Sequence, residues 1–200
     1  MQNNLLSTYN QKKHQIKSRL EDFKNLPVEK QYQEFLFCLL TPQSNAQRCW
    51  QAAELIKKLK NPTHKQILEI LSKKTRFHNT KAKRILNAKE TWKKIQPLFT
   101  QKNTVELRNQ ISKEVDGYGL KEASHFLRNI GLSKNQIAIL DRHILRNLKN
   151  LDLIQEEKIK SQKNYLEIEK IFINYANSIN IPSDELDLLW WSQENGEIFK

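Results

Sequence analysis

The chain has 200 residues, 38% hydrophobic and 28% charged, and its 34 Lys and Arg against 22 Asp and Glu leave a net charge of +12. This composition excludes a disordered chain, and no apolar run approaches the roughly 20 residues of a bilayer span. The cation surplus points to a polyanionic partner, most commonly nucleic acid, although lysines scattered along many helices would produce it as well.

The opening MQNNLLSTYNQKKHQ has no compact apolar core followed by a small-residue cleavage site. No secretory signal is read, and a cytoplasmic, nucleoid-associated location is expected. Only 4 glycines occur, so few turns need positive φ and a β-rich fold is disfavoured. Apolar residues instead recur at helical intervals. Leu5, Tyr9, Ile16, Leu20 and Phe23 form a first stripe; Tyr32, Phe35, Leu36, Leu39 and Leu40 form a second, ended by Thr41-Pro42. A third helix is predicted over residues 44–60, carrying Ala46, Trp50, Ala53 and Leu59. Asn61-Pro62-Thr63 breaks the chain and caps a short helix with Ile67, Leu68 and Leu71. The segment 80–95 is expected to bury Ala82, Ile85, Leu86 and Trp92 before Pro97, and a helix over about 104–113 follows. The C-terminal third predicts a long helix with Tyr165, Ile168, Phe172, Tyr175 and Ile179, then a break at Pro182-Ser183-Asp184. A last helix, with Leu186, Leu189 and Trp190, stops at Asn195-Gly196. Cys38 and Cys49 fall on different predicted helices, are too few for a four-cysteine zinc site or an iron–sulfur cluster, and read as reduced core thiols.

Two of the glycines sit in Val115-Asp116-Gly117-Tyr118-Gly119-Leu120-Lys121, between a predicted helix and a second one over 121–129 that stops at Gly131. Glycines there permit a tight turn and let backbone N–H groups approach a phosphate, with a helix N-terminus behind them. An ordinary helix–helix connection would read the same. Lys121 falls in the first turn of that helix, where a cation opposes the helix dipole, so helix stability does not explain it. The same positive potential disfavours the ammonium, and a free amine is a nucleophile. A plain surface lysine is the alternative. Asp141 follows an apolar run and precedes an apolar helix, the position of an N-cap. If its loop returns across the hairpin, its carboxylate also stabilises positive charge near Lys121.

Together, Val115-Asp116-Gly117-Tyr118-Gly119-Leu120-Lys121-Glu122-Ala123 and, twenty positions after the lysine, Leu140-Asp141-Arg142-His143 resemble the helix-hairpin-helix glycosylase superfamily that includes endonuclease III. Residues 121–129 and 139–145, with 37–43, 76–79 and the ending 196–200, are similar to the archaeal-type, second-class 8-oxoguanine DNA glycosylase/AP lyases. Asp116 stands where many superfamily members have proline, and the cluster cysteines of endonuclease III are absent.

The resemblance implies an all-α fold: one glycosylase unit of two helical lobes, with a helix-hairpin-helix motif and a DNA-binding cleft between them. About 30–130 would form a helical barrel lobe, and 1–29 with 131–200 the other. It implies excision of 8-oxoguanine from a flipped nucleotide in duplex DNA, Lys121 attacking C1′ with Asp141 as partner carboxylate, then Schiff-base formation and β-elimination. No metal and no organic cofactor is implied. Guanine N7 accepts a hydrogen bond whereas 8-oxoguanine donates there, so the pocket needs an acceptor, and the resemblance assigns Lys200 to this contact, with the terminal carboxylate near the base. Trp190, Trp191 and Phe77 are the stacking candidates. Trp190 and Trp191 point in different directions on one helix, so one is expected in the core and Trp191 as the exposed partner. Gln43 is expected as a wedge into the duplex. Asn79, Lys81, Arg84, Gly117, Gly119, His125 and Arg142 are expected to face DNA, and His143 to hydrogen-bond backbone. The expected partner is double-stranded DNA containing 8-oxoguanine, bound by a monomer, with no membrane. Rival readings are an endonuclease III-like glycosylase for oxidised pyrimidines, a non-catalytic helix-hairpin-helix DNA-binding module and a basic RNA-binding helical protein.

Overall fold

The computed structural model describes the backbone of residues 2–200 and the side chains of residues 5–194 and 196–200. In chain order the helices are α1 (Gln2–Lys24), α2 (Val28–Leu40), α3 (Ala46–Lys57), α4 (His64–Ser72), α5 (His78–Leu86) and α6 (Ala88–Ile95). A 3-10 turn (Gln96–Thr100) leads to α7 (Thr104–Glu114), α8 (Leu120–Asn129), α9 (Arg142–Asn150), α10 (Gln162–Ser178) and α11 (Ser183–Asn195). The described residues contain no strand, as the helical spacing and scarce glycine predict. No helix among them is long and apolar enough to cross a membrane. The chain divides into a continuous unit, Leu26–Phe126, and a discontinuous one, Met1–Asn25 with Leu127–Lys200.

In the continuous unit α2 is the central helix. Every residue from Glu34 to Leu40 is buried, so it shows a full apolar circumference rather than a stripe. Phe35 gathers Trp92, Tyr118 and Phe126, with ring centroids 5.6, 5.6 and 6.0 Å away. Each such tilted or edge-on pair adds about 0.5–1.5 kcal/mol beyond area burial. The Tyr118 hydroxyl donates to the Phe35 carbonyl at 2.8 Å, which satisfies its one polar atom inside the cluster. Thr63 and Gln66 form a full capping box at the start of α4, where the sequence places a cap.

Three expectations are corrected here. Asn45 caps α3 through its side chain, so that helix runs over Ala46–Lys57 rather than 44–60. The segment 80–95 is two helices that begin at His78 and part at Asn87. Leu86 is 48% exposed, because the inward stripe of α5 runs through Lys81, Ala82 and Ile85 and Leu86 lies one position beyond it.

In the discontinuous unit, α1 buries Tyr9, Ile16 and Phe23, spaced by sevens, and packs against α11. The Tyr9 hydroxyl donates to Glu185 at 2.6 Å, and burial together with that carboxylate raises its pKa well above the usual tyrosine range. Gly131 has φ +74°, and a Cβ there would stand 2.6 Å from the Lys24 Cα, so only glycine allows the two backbones to pass. Gly196 ends α11 in the left-handed region, as predicted.

Candidate active site

The glycine hairpin joins α7 to α8. Gly117 carries φ +96°, and a Cβ on it would lie 2.7 Å from Cδ and Nε of Arg84. Arg84 therefore lies against the hairpin backbone, and its Nη2 reaches Asp116 Oδ1 at 3.3 Å. The acidic residue that replaces the superfamily proline has a guanidinium beside it. Gly117→Ala is expected to cost about 1–2 kcal/mol in backbone strain. Arg84 must also move. A melting curve checks this; an unchanged Tm would contradict it.

Gly119 has no positive φ, so its role differs from that of Gly117. Its N–H donates to Glu122 Oε2 at 3.0 Å, half of a capping box at the start of α8. That amide is engaged by a carboxylate, which corrects its expected availability to a phosphate. The other oxygen, Glu122 Oε1, lies 2.9 Å from the half-buried Lys121 Nζ. Buried Glu122 thus ties the hairpin to the lysine. Sequence reasoning passed over it, although an acidic residue three positions after a helix N-cap is a readable signal. One turn beyond Lys121, His125 meets the buried Phe37 ring edge-on at 5.5 Å.

Two loops of the same unit present exposed tips. Gln43, between α2 and α3, has φ 54°, and Phe77, just before α5, has φ 56° and is 55% exposed. Left-handed backbone at a residue other than glycine costs about 1–2 kcal/mol, so something must hold each tip. Lys81 does so from within. It is 2% exposed, and its Nζ donates to Leu40 O at 2.7 Å, Pro42 O at 2.9 Å and Ser44 Oγ at 2.9 Å. Hydrogen bonds from a charged donor contribute about 1.5–3 kcal/mol each, enough to offset the strain. Lys81 is therefore not a DNA-facing cation, and the expectation is corrected. Burial pushes its pKa down to about 8; the Cys49 thiol opposes the fall, and the Arg84, Lys121 and Arg76 cations add to it. Asn79 is exposed on the first turn of α5, whose N-terminus has no side-chain cap.

Asp141 belongs to the discontinuous unit and N-caps α9. Its Oδ1 accepts from His143 N at 2.8 Å and from Ile144 N at 2.9 Å. The loop before it is pinned along its length. Ser133 Oγ and Asn135 N donate to Asp184 Oδ2, Ala138 N donates to Glu169, and the Tyr165 hydroxyl donates to Ala138 O. Buried Asp187 pairs with Arg128 at 3.4 Å. Burial pushes the Asp187 carboxyl up to about 7; the Arg128 guanidinium opposes the rise, and Asp141 and Asp184 add to it. Asp141 thus sits in a field of further carboxylates. Arg142 is exposed. His143 stands between side chains, 3.4 Å from Arg142 Nε and 3.4 Å from Glu194, which corrects its expected bond to backbone.

The C-terminal residues 196–200 are anchored to α1. Arg19 Nε donates to Phe199 O at 2.7 Å, and Lys200, 6% exposed, has its Nζ 5.7 Å from the Phe23 ring centroid. Trp191 is half-buried, its ring 6.2 Å from Phe199. Trp190 is 2% exposed between Phe172 and Tyr175, so it has no face for a base and leaves the stacking candidates as a core residue.

An all-helical chain with a tight glycine hairpin between two helices, and a lysine in the first turn of the second, is of the helix-hairpin-helix class. The family model described as 8-oxoguanine DNA glycosylase matches residues 16–181. An "8-oxoguanine DNA glycosylase/AP lyase" of Fusobacterium nucleatum is 41% identical over 99% of this chain and 97% of that protein. The crystal structure of the 8-oxoguanine DNA glycosylase of Thermotoga maritima is similar at TM-score 0.89 and 30% identity, covering 100% of this chain and 98% of that one. That of the Methanocaldococcus jannaschii 8-oxoguanine glycosylase/lyase, in complex with a 15mer DNA containing 8-oxoguanine, matches at TM-score 0.86 and 31% identity, covering 98% and 99%. This chain belongs to the 8-oxoguanine DNA glycosylase family.

Proposed function

We propose that this chain is a bifunctional DNA glycosylase/AP lyase that excises 8-oxoguanine from duplex DNA, with Lys121 as nucleophile and Asp141 as partner carboxylate. The observation that carries the assignment is Lys121: a half-buried amine in the first turn beyond the glycine hairpin, in a chain that matches 8-oxoguanine DNA glycosylase/AP lyases over nearly its full length. Its neutral Nζ attacks C1′ of the flipped nucleotide. The bond from C1′ to the base breaks, and the base leaves with the bonding pair and takes up a proton. Asp141 helps deprotonate Lys121, and its charge stabilises the oxocarbenium-like sugar. Ring opening at C1′ leaves an iminium on Nζ. Loss of a C2′ proton then breaks the C3′–O bond and nicks the strand.

Gln43, Asn79, Arg84, Gly117, His125 and Arg142 are proposed to hold the duplex. Phe77 and Trp191 are proposed to stack on the base, and a main-chain oxygen of Lys200, whose ammonium can only donate, to accept from the N7 hydrogen. Between Lys57 and Lys94 the chain places, besides the buried Lys81, twelve Lys or Arg against two acidic residues, Glu69 and Glu90, a concentration suited to phosphates. A cytoplasmic, nucleoid-associated location goes with that substrate. Incubation with a duplex carrying one 8-oxoguanine, in the presence of borohydride, is expected to give a covalent adduct. Without borohydride it should give a nicked strand, and undamaged duplex should give neither. Absence of the adduct would overturn the assignment, and preference for an oxidised pyrimidine would replace the substrate.

A further inference from the structure

We propose that Lys81 and Ser44 form a positioning clasp that sets Gln43 and Phe77 at a fixed mutual placement for meeting the lesion duplex; it rests on the duplex-facing roles proposed above for those two residues. The two tips lie 34 positions apart in sequence, yet one pair of side chains, buried Lys81 and half-buried Ser44, fastens both. The Lys81 ammonium has three hydrogens and three oxygens to receive them: Leu40 O, Pro42 O and Ser44 Oγ. Pro42 and Ser44 flank Gln43 on either side. Ser44 Oγ also accepts from Arg76 N at 2.9 Å, on the residue just before Phe77. The Lys81 backbone N–H bonds to Phe77 O at 3.1 Å and closes the first turn of α5. Each left-handed residue is therefore bracketed by bonds that run through Lys81 or Ser44.

The residue types fit this use. An ammonium offers three tetrahedral donors for three converging oxygens, which a planar guanidinium does not. The Ser44 hydroxyl accepts from both loops and lies 3.5 Å from Pro42 O as donor, so its capacity is fully used. Neither tip is glycine, so each left-handed turn depends on surrounding structure. Lys81 touches no substrate in this arrangement; it acts through Gln43 and Phe77.

Two measurements on the full chain test the clasp. Ser44→Ala removes the shared acceptor and leaves Lys81 its two carbonyls. It should speed amide exchange at Arg76 by about tenfold or more and raise exchange around Gln43 with it, while α7 is unaffected. On an 8-oxoguanine duplex, Phe77→Ala should lower kcat/KM about 30-fold in the native background but only about 3-fold in Ser44→Ala, since a released tip has less to lose. Lys81→Met, of similar length but with no donor, should reproduce both results. Exchange that rises at Arg76 alone, or a Phe77→Ala loss equal in the two backgrounds, overturns the proposal. If the native protein fails to excise 8-oxoguanine, the proposed function falls, and the exchange measurement, made without DNA, still decides the clasp.

Discussion

Lys121→Gln is expected to abolish borohydride trapping and strand nicking and to slow release of 8-oxoguanine by about 10³-fold or more, the scale on which loss of a covalent nucleophile is felt. The fold should be kept. Glu122 loses its 2.9 Å ion pair with Lys121 but keeps its bond from Gly119 N, and removing a cation from the first turn of α8 relieves an unfavourable interaction with the helix dipole worth about 0.3–1 kcal/mol. The two effects oppose, so the Tm should change little, and duplex affinity should stay close to native. Gel analysis after borohydride, paired with a melting curve, checks both halves. An adduct of native intensity in the Gln variant would remove Lys121 from the chemistry.

Asp141→Asn and Asp141→Ala are expected to separate two jobs held by one side chain. Both cap bonds of α9 fall on Oδ1, and asparagine caps a helix about as well as aspartate. The Asn variant should keep the native Tm while base excision drops by about 10²–10⁴-fold, the range attributed to a lost acid–base group. Relief of the charge beside Asp187 offsets the loss of a carboxylate from the N-terminus of α9. The Ala variant should lose activity equally and also about 1 kcal/mol of stability through the missing cap, or roughly 2–4 °C. Full excision by the Asn variant would leave Asp141 as a cap and nothing more.

The helices were legible wherever apolar residues kept a single period. Tyr9, Ile16 and Phe23, or the capping pair Thr63 and Gln66, announce their elements directly. The split at Asn87 was not legible, because Ala82, Ile85 and Trp92 read as continuous across it. The hairpin and Lys121 draw attention because glycine is scarce and a first-turn lysine runs against the helix dipole, but Asp141 alone reads as an N-cap, and only the family resemblance pairs it with Lys121. Lys81 misled for the opposite reason. A lysine in a basic stretch reads as surface charge, and only three converging oxygens reveal that it belongs inside. Arg19 and Arg128 gave no local signal, since their partners lie at Phe199 and Asp187, far along the chain.

The discontinuous unit has a consequence for biogenesis. Its first helix leaves the ribosome long before α11, the helix it packs against, has been translated. The continuous stretch 26–126 can meanwhile gather its aromatic cluster from residues already synthesised. Tyr9, Ile16 and Phe23 must spend that interval without their final neighbours, a sticky amphipathic leader awaiting the last helix. Nascent-chain aggregation and chaperone capture should therefore concentrate on α1, rather than on the hairpin or the loop tips.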